Sequence, residues 1–181
     1  MGAPQLEDPH TPSPAKLARV KSISALAVVA ILLAGCATLR PPLEQRTTHG
    51  PTARQFWMLQ MVTANSREPS LDERRHWEDQ LDYRIQQYLM KNPEQANALH
   101  LSTFRFDKQV VTGMEKEQVT MLLGAPLSTA TDPAEIEKLS RKYWRQIQGS
   151  NVSEVLVYEL GWRLYFAGTR LVDITQYLER D

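Results

Sequence analysis

Glu73-Arg-Arg-His76 places a carboxylate and an imidazole three residues apart, which is one helical turn. That pair is half of the ligand set of a carboxylate-bridged di-iron bundle. A complete centre needs a second Glu-x-x-His and further glutamates, and the acidic stretch 132–137 contains no histidine. His76 adjoins Trp77 on the polar flank of an apolar stripe, so a solvated helix histidine is expected there. The other histidines, His10, His49 and His100, are scattered, whereas zinc wants three or four clustered ligands. Ser150 and Ser153 have no histidine near them in sequence and read as turn serines. No nucleophile elbow and no glycine-rich phosphate loop is present. No catalytic residue, no metal site and no cofactor site is therefore expected, and the chain reads as a non-enzyme.

The remaining reactive side chain is Cys36, the only cysteine, so no disulfide can form within the chain. It follows Leu33-Ala34-Gly35, the end of an apolar run over 23–34 that is preceded by Lys16, Arg19 and Lys21. Basic flank, short apolar core and small residues before a cleavage point make a secretory signal. Crossing a bilayer takes roughly 20 apolar residues, more than this run supplies. The Leu-Ala-Gly-Cys ending resembles a bacterial lipoprotein signal, which implies a lipidated Cys36 as the mature N-terminus. In such systems an aspartate after the cysteine retains the protein in the inner membrane. Ala37 stands here, which implies the outer membrane, with the domain facing the periplasm. Residues 2–15 hold four prolines and two acids, unlike an ordinary signal start, and a start further in, for example at Val20, is one reading of that.

The whole chain has net charge zero. Removing residues 1–35 takes away three bases (Lys16, Arg19, Lys21) and two acids (Glu7, Asp8), which leaves about −1. No basic field exists for nucleic acid. Membrane attachment is expected through acyl chains on Cys36, each contributing roughly 0.8 kcal/mol per buried methylene.

The expected organisation is a signal over 1–35, a lipidated flexible tether over 36–51, a helical extension over 52–103 and an α+β domain over 104–181. The tether reading rests on three prolines and the lack of an apolar period. Thr52/Gln55 and Ser70/Glu73 have capping-box spacing and open two helices. The first carries Ala53, Trp57, Met61 and Ala64; the second carries Trp77, Leu81, Ile85, Tyr88 and Leu89 on one side. That second stripe reads as a packed core face in preference to a ligand platform. Asn92-Pro93 ends it. A short extended or irregular link follows over 104–111, then a helix over 115–123 that Gly124 and Pro126 stop. Asp132-Pro133 opens another helix, running to about Gln148. The runs 154–160, 162–167 and 170–176 are β-branched and aromatic, with Gly161 and Gly168 between them, and predict an antiparallel three-stranded meander. The fold class is thus α+β: helices on a C-terminal three-stranded meander, with an added N-terminal helix pair. Both faces of the first strand are apolar, which predicts cover on both sides. Helix 115–123 is expected on one face, and helices 52–65 and 70–91 on the second or nearby.

The segment Gly113-Met114, Val119, Leu123-Gly124 and Pro126 resembles the SmpA/OmlA/BamE family of small outer-membrane lipoproteins. Val155-Leu-Val-Tyr158, Leu164-Tyr-Phe166, Gly168 and Leu171-Val172 follow in that family's order, so the likeness spans about 104–176. It implies helices on a three-stranded antiparallel sheet, and the family's best-known member helps assemble β-barrel proteins. Three features depart from the pattern: Glu115 replaces the usual Ser or Thr cap, a helix is inserted over 133–148, and the helices at 52–91 are extra. No partner-contact residue carries over by motif.

Two functions fit these features. One is a non-catalytic scaffold or assembly lipoprotein of the cell envelope with a protein partner. The other is a small-molecule or lipid-binding module using a helix–sheet cleft. The candidate partner contacts are Arg163 and Tyr165, which alternate with Trp162, Leu164 and Phe166 on the second strand. An ordinary strand surface, or burial beneath the helix pair, is the competing reading of that face.

Overall fold

The computed structural model describes residues 44–178. The expected signal, the lipidation position Cys36 and the start of the tether lie outside the described residues. Residues 43–181 form a compact unit of their own.

Three strands make the centre of the fold: β5 (Glu154–Val157), β6 (Trp162–Ala167) and β7 (Arg170–Tyr177), paired antiparallel in sequence order. The expected three-stranded sheet is nevertheless five-stranded, in the order β1-β7-β6-β5-β4. β1 (Glu44–Thr47) adds to β7 and β4 (Ser128–Ala130) adds to β5. Neither edge strand carries an apolar alternation, so neither is visible to a periodicity argument. β2 (His49–Thr52) and β3 (Gln109–Val111) pair separately as a short ribbon. Most of the expected tether from 44 onward is therefore strand.

The turn from β5 to β6 requires Gly161. Its φ is +72°, and a Cβ there would stand 1.8 Å from the Tyr177 carbonyl oxygen. β7 contains a register shift: Tyr165 faces Asp173, but Phe166 faces Leu171, leaving Val172 as the extra residue. The bulge lets Leu171 and Ile174, an odd number of residues apart, join the same core.

That first core lies on the face carrying Leu156, Tyr158, Leu164, Phe166, Leu171 and Ile174. Its cover is α1 (Ala53–Asn65), α2 (Leu71–Lys91) and α3 (Lys116–Leu123), through Phe56, Leu81, Ile85, Tyr88, Val119 and Leu122. Both expected capping boxes form, Thr52 with Gln55 and Ser70 with Glu73. The two helices are not an added pair. They share one core with α3 and the sheet, so no domain boundary falls at 103/104.

The opposite face presents Val155, Val157, Tyr165 and Val172. Cover on both sides is thus observed, but α1 and α2 do not supply the second layer. It comes from α4 (Pro133–Ser140), a 3-10 turn over Arg141–Tyr143, α5 (Trp144–Ile147) and a final 3-10 turn over Gln148–Ser150. Ile136, Leu139, Tyr143, Trp144 and Ile147 pack there. The single helix expected from 133 to 148 breaks at Arg141, whose φ is +50°. The break lets both halves keep an apolar side on the twisted sheet.

Helix α3 ends at Gly124 with φ +79° and ψ −161°, a backbone region open almost only to glycine. A Cβ at Gly124 would meet no atom closer than Gln60 Nε2 at 4.0 Å, whereas one at Gly161 would collide with backbone. Gly124→Ala should therefore cost about 1–3 kcal/mol from strain alone. Gly161→Ala should cost more than that and shift the β5–β6 turn. Urea unfolding followed by tryptophan emission measures both, and equal losses would contradict this account.

Candidate functional site

The predicted contact face is an interior. Tyr165 is 0 % exposed, packed under α4 and α5. Its hydroxyl donates toward the Leu139 carbonyl at 3.3 Å and lies 3.2 Å from Thr175 Oγ1. Burial pushes its pKa up. Arg163 is half-buried, with its guanidinium carbon 4.2 Å from the centre of the Tyr177 ring. Tyr165 has no surface to offer a partner, which removes it from the expected contact pair, whereas Arg163 keeps part of its surface. The competing reading of burial was right in kind, but the cover is 133–150, not the helix pair. Leu171 faces the other core because of the bulge.

Tyrosines along this sheet serve helix ends. Tyr177 donates to the Ser140 carbonyl at 2.7 Å, and Tyr165 to its neighbour Leu139, at the last turn of α4. On the first face, Tyr158 donates to the Gly124 carbonyl at 3.0 Å, just past α3. The final carbonyls of a helix lack intrahelical partners, and a buried one left unpaired is costly. Burial raises the Tyr177 pKa to about 12 and raises that of Tyr158 as well. These hydroxyls are occupied in architecture.

The Glu73–His76 half-motif is likewise taken up. Glu73 closes the capping box with the Ser70 amide and pairs with Arg67 at 2.7 Å. The Arg67 hydrogen bonds, then the Ser70 amide, pull its pKa down to about 2. His76 lies 2.8 Å from Gln80 on the exposed side of α2. Among the described residues no group of three His, Cys, Asp or Glu could hold a metal ion.

Three surface features remain. A cleft of about 360 Å³ between the β2–β3 ribbon and the 98–103 turn includes Thr48, His49, His100, Thr112 and Arg170. His100 Nε2 lies 3.0 Å from Gln118 Oε1, an oxygen that already accepts the Glu115 amide, so Nε2 must carry the proton. Burial lowers the His100 pKa, which favours the neutral ring, in which Nδ1 is the acceptor. The second feature is a groove of about 530 Å³ along α2, formed by Ile85, Leu89, Met90, Arg105, Phe106 and Lys108. Phe106 is 70 % exposed on a π-helical turn, Thr103–Asp107, and Met90 is 67 % exposed. The segment 104–111 is expected to be extended or irregular; its end, Gln109–Val111, is the strand β3, but the π-helical turn that carries Phe106 is not expected. Its only signal there is an aromatic between Arg105 and Asp107 that fits no apolar period. The third feature is the cationic outer side of 138–145. Its signal is the spacing of Lys138, Arg141, Lys142 and Arg145.

Comparison of the chain with protein-family models, with curated proteins and with solved structures finds no match.

Two outcomes are expected from this chemistry. Tyr177→Phe should cost about 1–3 kcal/mol by leaving the buried Ser140 carbonyl unpaired, read by chemical denaturation. Glu73 has a folded-state pKa below its ordinary 4.5, so its contribution is complete above that value and disappears as pH falls toward 2. The protection factors of the first-turn amides of α2, corrected for intrinsic exchange at each pH, should fall across that range in wild type and stay level in Glu73→Gln.

Proposed function

We propose that this chain is a lipid-anchored scaffold of the bacterial cell envelope, held in the outer membrane through acyl chains on Cys36 and facing the periplasm. The observation that carries the reading is Leu33-Ala34-Gly35-Cys36 after a basic, short apolar run, only seven residues ahead of the first strand. A likeness to the SmpA/OmlA/BamE lipoproteins over 104–176 accords with it. The three central strands and α3 with its Gly124 stop follow the order that likeness implies, while the edge strands and the second cover go beyond it.

A scaffold needs a surface for its partner. The groove beside α2 supports that role, because Phe106 and Met90 expose aromatic and thioether surface next to Arg105 and the Lys108–Asp82 ion pair. Aromatic, Met and Arg groups are enriched where protein partners dock. An envelope protein is the partner class this reading calls for, and it uses no cofactor. The second reading, a small-molecule module, is favoured by the cleft at His49, His100 and Arg170. That cleft is small for a ligand site but within the usual range.

Cys36→Ser should abolish incorporation of labelled fatty acid and release the protein from membranes. Wild-type protein found free in the periplasm would refute the anchoring. Photocrosslinkers placed at Gln86 in the groove and at Leu99 beside the cleft, in intact cells, separate the two readings. Capture of an envelope protein at Gln86, lost when Phe106→Ala/Met90→Ala is added with stability unchanged, is the expected outcome. Crosslinks confined to a small molecule at the cleft favour the second.

A further inference from the structure

The second cover of the sheet has two unlike sides. Inward, Ile136, Leu139 and Ile147 pack on Val155 and Tyr165. Outward, Lys138, Arg141, Lys142 and Arg145 are all exposed, and residues 141–150 contain three bases and no acid. Tyr143 and Trp144 are half-buried between them. The acids of this segment, Asp132, Glu135 and Glu137, all precede the break at Arg141.

The chain joins the fold at this side. β1 begins at Glu44, whose carboxylate meets Lys142 at 3.1 Å and Arg141 at 3.5 Å. Its carbonyl accepts the Tyr143 hydroxyl at 3.0 Å. Arg141 also lies 4.6 Å from the Tyr177 ring centre. Among the described residues Glu44 is the only acid paired to these cations, and Lys138 and Arg145 have no ion pair there. Nearby, Arg46 is committed to Asp173 at 2.7 Å.

Seven residues separate Cys36 from Glu44. However they are arranged, they span at most about 28 Å. On the reading that Cys36 carries lipid, the start of β1 cannot stand further than that from the bilayer. The cations surrounding that start are then brought close to the headgroups.

We propose that the 138–145 side is the membrane-facing side of the domain, with Lys138, Lys142 and Arg145 seated among the phosphates of anionic lipid headgroups. This rests on the anchoring proposed above. The acyl chains supply the affinity. The cations supply orientation, because their attraction to an anionic surface decays within a Debye length of roughly 10 Å. Half-exposed Trp144 and Tyr143 suit the same layer, where amphipathic rings accumulate. The groove beside α2 belongs to the other cover of the sheet, so this orientation turns it away from the lipid and toward the periplasm.

The test uses the processed chain, 36–181, with Cys36→Ser, since residues 43–181 form a compact unit by themselves. It is sedimented with vesicles of phosphatidylcholine alone and of phosphatidylcholine mixed with phosphatidylglycerol, at low and at molar salt. Binding is expected only to the mixed vesicles at low salt. Lys142→Gln/Arg145→Gln should weaken it roughly 10- to 30-fold, given the contribution of two cations near an anionic surface. Arg75→Gln/Arg84→Gln removes the same charge from exposed α2 positions and should leave binding unchanged. Salt-independent binding, equal binding to both vesicles, no binding, or equal losses in the two variants would each overturn the proposal. So would capture of an acidic protein in place of vesicles. Salt dependence of the unmutated chain stands even if a variant fails to fold. Fatty-acid labelling of the wild type in cells reports the anchor separately. Labelled protein whose unlipidated form ignores anionic vesicles would retain the anchor and sink the headgroup contact.

Discussion

Three central strands that are apolar on both faces must be covered twice, and this constraint organises the five-stranded sheet and everything around it. β5 alternates Val155 and Val157 with Leu156 and Tyr158, so neither side can face water. At roughly 25 cal/mol per Å² of apolar surface, leaving either side bare would cost more than a small domain's net stability. Three helices from before the meander cover one side. The broken segment 133–150 covers the other. The edges are closed by polar strands, which leave little apolar surface to recruit another sheet.

Cover alone does not settle how helices sit, and here the polar groups act. Tyr165, Tyr177 and Tyr158 reach the carbonyls at the ends of α4 and α3. Each bond removes an orphan acceptor and sets where along the sheet a helix stops. The Arg46–Asp173 pair does the same for β1. Asp173 has a side chain only 3 % exposed, held bidentately by Arg46 and also accepting the Ile174 amide. With Arg46 exposed and Asp173 buried, the pair contributes little net stability, but removing Arg46 strands a buried carboxylate, so it specifies the register of β1 on β7.

These demands account for most of the residues that looked chemically versatile. Glu73 caps a helix, the sheet tyrosines dock helices, and Arg163 lies against Tyr177. What the fold leaves over is surface: an aromatic and thioether groove beside α2 and a cationic side around the start of β1. They belong to opposite covers of the sheet, a separation that suits a domain held at a membrane on one side while meeting a partner on the other.

The amino-acid sequence by itself determined the local events. Thr52/Gln55 and Ser70/Glu73 capped their helices, Gly124 stopped α3 with a positive φ, and the alternation of β5 sorted its side chains between two cores. Each depends on neighbours within a few residues, so the information is local. Tertiary structure alone decided the rest. Glu44-Gln-Arg-Thr47 has no apolar period and becomes a strand only because β7 offers an unpaired edge and Asp173 a partner for Arg46. The bulge at Val172 moved Leu171 away from the Tyr165 face. Arg163 and Tyr165 illustrate the limit: their alternation was read correctly, but alternation gives a side, and only the packing of distant segments says whether that side meets water, lipid or another helix.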